Sequence, residues 1–172
     1  MKSNGFTLVE LLLYITLTAV VFVMIISFIM TLMEVRTKVD VIGEVEHNAR
    51  LVQDRLTDAM RHVEAVNTGT STFGSDPGVL SLDMVDAAVD PTIFSLTADD
   101  GQLQVSEAGA AAATITTENV SVSNLVFTDL TSSEDRGIIQ VQFTVTAINE
   151  EESPLFDYEE SFQTTLRIPL DD

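Results

Sequence analysis

Cysteine is absent from all 172 residues, so the chain has neither a disulfide framework nor thiol chemistry. Any exported domain it contains must hold itself together by packing. Basic residues are scarce: 8 lysines and arginines face 27 acids, for a net charge of -19. From Thr68 onward only Arg136 and Arg167 stand against 19 acids, which marks the distal part as a strongly acidic head. Such a surface repels phosphates, so nucleic acid is excluded as a partner. Histidine is limited to His47 and His62, in neither a zinc nor a triad spacing, and there is no phosphate loop or dinucleotide fingerprint. No catalytic residue, metal ligand or cofactor site is expected, and the chain does not read as an enzyme.

Charge, proline and glycine are all missing from Leu11 to Met33, a run of 23 residues. At about 1.5 Å per residue this run spans roughly 34 Å, enough to cross a bilayer core of about 30 Å. The apolar part of a cleavable secretory signal covers roughly 7 to 15 residues, so the run reads as a retained transmembrane helix in contact with lipid.

Beyond it, Val35, Val39, Ile42, Val45, Ala49, Val52, Leu56, Ala59, Val63 and Val66 recur at steps of three or four. That is the period of a helix with one apolar seam, so the helix is expected to continue to about Val66, with Gly43 as its weak point. A two-stranded coiled coil would use the same seam, but the sheet that follows offers a nearer partner. Asn67 to Gly78 is dense in turn formers, and the pattern then changes. Leu80, Leu82 and Met84 alternate with polar residues, and Phe94 and Leu96 lead through Asp99-Asp100-Gly101 to Leu103 and Val105 as a hairpin. A calcium loop is the competing reading of that turn, but its first ligand positions would fall on Leu96 and Ala98. Asn119 to Phe127 shifts phase between Val122 and Leu125, which predicts a bulge or two short strands. Ile139, Val141, Phe143, Val145 and Ala147 form the clearest strand, and Phe162, Leu166 and Ile168 mark a last one that could pair with it antiparallel. Ala108 to Ala113 reads as a loop. The expected fold class is α+β, with a long N-terminal helix whose second half packs against an antiparallel sheet.

One carboxylate, Glu10, sits at the mouth of the apolar run. A carboxylate is disfavoured at the bilayer centre by roughly 2.5 to 3.5 kcal/mol on insertion scales, and by less near the interface. The leader Met1-Lys2-Ser3-Asn4-Gly5, followed by Phe6-Thr7-Leu8-Val9-Glu10 and the apolar run, resembles the signature of type IV prepilins and type II secretion pseudopilins. Asn48 to Leu56, with the late strands, is similar to minor pilins and J-type pseudopilins. The chain departs from many major pilins in lacking a proline within the membrane helix and a cysteine pair near the C-terminus.

The resemblance implies a leader at 1–5, a transmembrane and filament-core helix at 6–34, its amphipathic continuation at 35–67 and an acidic β-rich head at 68–172, the fold of a pilin. It implies cleavage by a prepilin peptidase between Gly5 and Phe6, where glycine lets the protease approach the backbone, and N-methylation of Phe6. Glu10 would then pair with the Phe6 ammonium of a neighbouring subunit during assembly. The implied partners are the peptidase, other pilin or pseudopilin subunits and an inner-membrane assembly platform. The implied location is the cytoplasmic membrane, N-terminus inside and head outside, and then a periplasmic or extracellular filament.

Independently of that resemblance, helical spacing places Thr16, Ser27 and Thr31 within roughly 60° of one another, with Val20 in the same sector. This hydroxyl stripe is either a helix-packing face or polarity that the membrane tolerates. Glu10 has its own plain alternative, an interfacial residue at the end of an ordinary anchor.

Overall fold

The protein is described here by a computed structural model covering residues 7–132, 137–149, 153–154 and 156–168. Helix α1 runs over Leu8–Arg61. The chain divides into two compact units, Met1–Val39 and Asp40–Asp172. In the first unit the described residues are helical from Leu8 onward, and the side chains of the apolar run are exposed. This helix is long and apolar enough to cross a membrane.

The second unit holds the core. Its part of α1 passes through Gly43 without a break and buries Val45, Asn48, Ala49, Val52, Leu56 and Met60. The apolar seam is therefore realised from Val45 onward, whereas Val35 and Val39 are exposed.

The helix stops earlier than its seam predicts. The His62 N–H reaches the Ala59 carbonyl at 3.0 Å, an i to i−3 bond that tightens the last turn. The His62 Nδ1 lies 3.0 Å from the Asp58 carbonyl and caps it, a contact that places the proton on Nδ1 because a carbonyl only accepts. Strand β1, Val63–Val66, follows at once. Two β-branched valines thus leave the helix for a strand that pairs with another segment, and tertiary pairing overrides the local period.

Strands β2 (Leu80–Met84), β3 (Thr92–Leu96), β4 (Leu103–Glu107) and β5 (Ala113–Thr114) join β1 in a five-stranded antiparallel sheet, in chain order. The expected hairpin is present, with Leu96 opposite Leu103 and Phe94 opposite Val105. The alanine-rich loop ends in β5, which pairs Ala113 with Val105. Strands β6 (Val120–Asp129), β7 (Ile138–Ala147) and β8 (Glu159–Arg167) form a second antiparallel sheet in the order β6-β7-β8.

The fold is α+β with a pilin-like order of elements, and the β part is two sheets where the sequence pattern suggests one. Close backbone approaches join the sheets. Gly101, in the β3–β4 turn at φ 61°, accepts the Val122 N–H at 2.7 Å, and a Cβ there would meet the Ser121 Oγ at 2.7 Å. Gly78 donates to the Leu125 carbonyl at 2.7 Å, with no room for a side chain beside Phe127.

The phase change in β6 is a bulge. The register shifts between Ser123 and Val126, and Asn124 takes up the extra residue at φ 50°. Val122, Leu125 and Phe127 are thereby all buried. Helix and sheets share one core, with Val52 and Leu56 beside Leu80, Leu82 and Phe94 from the first sheet and Phe127, Ile139, Val141 and Phe143 from the second. Among the described residues no buried side-chain polar atom lacks a hydrogen-bond partner.

Candidate functional site

Of the residues to which the sequence gives a candidate role, Glu10, Thr16, Ser27 and Thr31 lie on α1. Gly5 and Phe6 fall outside the described residues. At the helix entrance, the Glu10 N–H donates to the Thr7 Oγ1 at 3.3 Å, and the Leu11 N–H donates to the Thr7 carbonyl at 3.1 Å. Thr7 is therefore the N-cap, and Glu10 occupies the third helical position. Glu10 is the one acid in the first turn, where the exposed N–H groups favour negative charge.

The stripe residues are all exposed on α1. The Thr16 hydroxyl donates to the Leu13 carbonyl at 2.9 Å, and the Thr31 hydroxyl to the Ser27 carbonyl at 3.1 Å. Thr18 and Thr37 do the same to Tyr14 and Met33 at 2.7 and 3.1 Å. Each of these four threonine protons is thus returned to its own helix, which lets a threonine sit in lipid without an unpaired donor. The hydroxyl oxygens keep accepting capacity toward a neighbouring helix.

The family model for the prokaryotic N-terminal methylation motif matches residues 1–26. The chain carries the type IV prepilin and pseudopilin signature. No curated protein matches the chain, and no solved structure does. Gly5, Phe6, Thr7, Glu10 and Thr16 lie within the methylation motif, whereas Ser27 and Thr31 lie beyond it.

A second polar constellation, in the head, lies outside the motif. The Thr117 hydroxyl donates to the Glu44 Oε1 at 2.7 Å, and the Thr117 N–H donates to the Asn48 Oδ1 at 2.9 Å. The Asn48 Nδ2 donates to the Glu44 carbonyl at 2.9 Å and to the Thr117 Oγ1 at 3.1 Å. The Thr117 bond holds the Glu44 carboxyl below its ordinary value, against a partial desolvation that raises it; bonds from Asn119 and Asn48 and the nearby His47 lower it further. This cluster ties the helix to the loop between the two sheets. Asn48 is visible in the sequence as a polar residue beside the seam, but Thr117, distant in sequence, carries no local signal.

His47 and His62 are both exposed. His62 lines a cleft of about 590 Å³ with Arg55, Asp58, Asp86 and Glu107 above a floor that includes Phe94 and Val105. Arg55 and His62 thus share the lining with three acids.

Proposed function

We propose that the protein is a noncatalytic filament subunit of the minor pilin or pseudopilin kind. A prepilin peptidase removes residues 1–5, Phe6 is N-methylated, and the mature chain waits in the cytoplasmic membrane with its head outside. An inner-membrane assembly platform then draws it into a type IV pilus or a type II secretion pseudopilus. The observation that carries this reading is the methylation motif at residues 1–26, set on an exposed apolar helix.

The chemistry of the helix entrance supports it. Once the leader is gone, the chain begins with the Phe6 ammonium, and Glu10 lies four residues on. A carboxylate near the membrane interface gains most from a cation in the same low-dielectric layer, and a neighbouring subunit supplies one. The Thr7 cap holds the first turn in place meanwhile. In the filament, residues 6–34 form the core, Thr16, Ser27 and Thr31 face a neighbouring helix, and residues 68–172 point outward as an acidic head.

Shearing filaments from the host and assaying this chain in the sheared fraction tests the reading. A trace amount supports a minor subunit, and a dominant band indicates a major pilin. Retention in the membrane while filaments shear away indicates an anchored β-domain that binds a ligand or surface and does not polymerise.

A further inference from the structure

Val35 and Val39 of α1 are 56% and 60% exposed although they keep the steps of the apolar seam. Steps that average about 3.4 residues wind a seam slowly around a helix of about 3.6 residues per turn. At about 100° per residue, Val35 and Val39 therefore lie roughly 90° around from Val45, Ala49, Val52 and Leu56, which the core buries. They form a short aliphatic ridge in solvent, just beyond the membrane run. Its flanks are basic: Arg36 and Lys38 stand about 80° to either side of it, and Glu34 and Asp40 stand further round.

The cleft of about 590 Å³ in the head is lined on its helix side by Leu51, Arg55, Asp58 and His62. These span about three turns on one side of α1, so the cleft runs beside the helix as a groove. Its far wall carries Asp86 and Glu107, and Phe94 and Val105 lie in its floor. The Asp58 carbonyl takes the Nδ1 proton of His62, which turns the Nε2 into an acceptor and leaves Arg55 against three carboxylates. The same helical spacing places Leu51, Arg55 and Asp58 roughly 150° around α1 from the ridge. Ridge and groove thus face away from each other on one helix. Copies standing parallel in one membrane turn the ridge of one toward the groove of the next.

We propose that the occupant of the groove is the Val35 and Val39 ridge of a second copy of this chain, parallel to the first and further out along the filament. The two valines lie on the apolar floor, ridge into groove. Lys38 meets Asp86 and Glu107 on the far wall, and Arg36 meets Asp58 on the helix wall. With five guanidinium donors, Arg36 can keep the contact it makes in its own chain. The ridge and the middle of the groove are about 20 positions apart on α1, so the second copy stands about 30 Å further out. Copies resting at one depth in the membrane cannot make this contact, and copies staggered in a filament can. The contact is head to tail and does not close, so it repeats along any run of two or more copies. It rests on the assembly of the chain into filaments proposed above.

Because the chain has no cysteine, introduced thiols are unambiguous. Two single-cysteine forms of the full chain, Val39→Cys and Ala111→Cys at the rim of the cleft, are co-expressed with the peptidase and the assembly platform and treated with a short bis-maleimide. Val39→Cys beside Ser123→Cys, exposed on β6, is the control. A product joining positions 39 and 111 is expected in sheared filaments, with none in membranes before assembly and none in the control. Lys38→Glu in both forms should cut the yield per chain in filaments several-fold, and adding Asp86→Lys should restore it. Filaments that contain the chain without this product, equal products at 111 and 123, equal product before assembly, or a double swap that leaves the yield low would each overturn the contact and leave filament assembly standing. Absence of the chain from filaments would overturn both.

Discussion

Thr117 and Asn48 grip each other across 69 positions of sequence: the Thr117 N–H reaches the Asn48 Oδ1 at 2.9 Å, and the Asn48 Nδ2 reaches the Thr117 Oγ1 at 3.1 Å. Asn48 is fully buried. Asn48→Ala leaves the Thr117 N–H without its partner and opens a small void. The expected loss is about 1 to 3 kcal/mol of head stability, read from urea unfolding of the full chain in detergent. Thr117→Ser keeps both the N–H and the hydroxyl and should fall within about 0.5 kcal/mol of the parent.

The same cluster sets an acid limit. The Glu44 carboxyl is held below its ordinary value of 4.5, first by the Thr117 hydroxyl. A carboxyl whose folded value is depressed contributes stability that is present above the unfolded value and fades as pH falls through the folded one. Urea midpoints taken from neutral pH down through the carboxylate range should therefore decline less steeply for Glu44→Gln than for the parent. Parallel declines would remove Glu44 from the linkage.

Burial divides α1 into two kinds of residue. Leu56 is fully buried in the head, and Val39 is 60% exposed although it continues the same seam. Leu56→Ala should cost about 2 to 5 kcal/mol in the urea titration. Val39→Ala should change the head's midpoint by less than about 0.5 kcal/mol.

At the helix entrance Thr7 supplies the cap. Thr7→Val preserves shape and removes the hydroxyl oxygen, and should weaken the first turn by about 1 kcal/mol. Faster amide exchange at Glu10, whose N–H the hydroxyl accepts, would report it, and Thr7→Ser should retain protection.

Patterns that act within one element are legible in the sequence, and those that act between elements are not. In β7, Ile139, Val141, Phe143, Val145 and Ala147 all face the core as their alternation implies, because a half-buried strand writes its two faces into every second residue. The seam of α1 is equally legible from Val45 to Leu56. It misleads at both ends: Val35 and Val39 keep the period without burial, and Val63 and Val66 keep it inside a strand. The way the two sheets meet depends on the close approach of Gly78 and Gly101 to distant backbone and of Thr117 to the Asn48 side chain, which no local period records. At the N-terminus the methylation motif is a linear signature and is visible whole. The Thr7-x-x-Glu10 spacing is also linear, and it gives Glu10 a place in the helix cap that an apolar run with a single acid does not suggest by itself.

Intact mass, measured on the full chain expressed with and without an active prepilin peptidase, reads the fate of the N-terminus most directly. Filament-subunit processing requires a peptidase-dependent loss of Met1 to Gly5 and a product that begins at methylated Phe6. A chain that keeps Met1 to Gly5 beside an active peptidase would contradict it, and Glu10 would then be an interfacial residue at the end of an ordinary anchor.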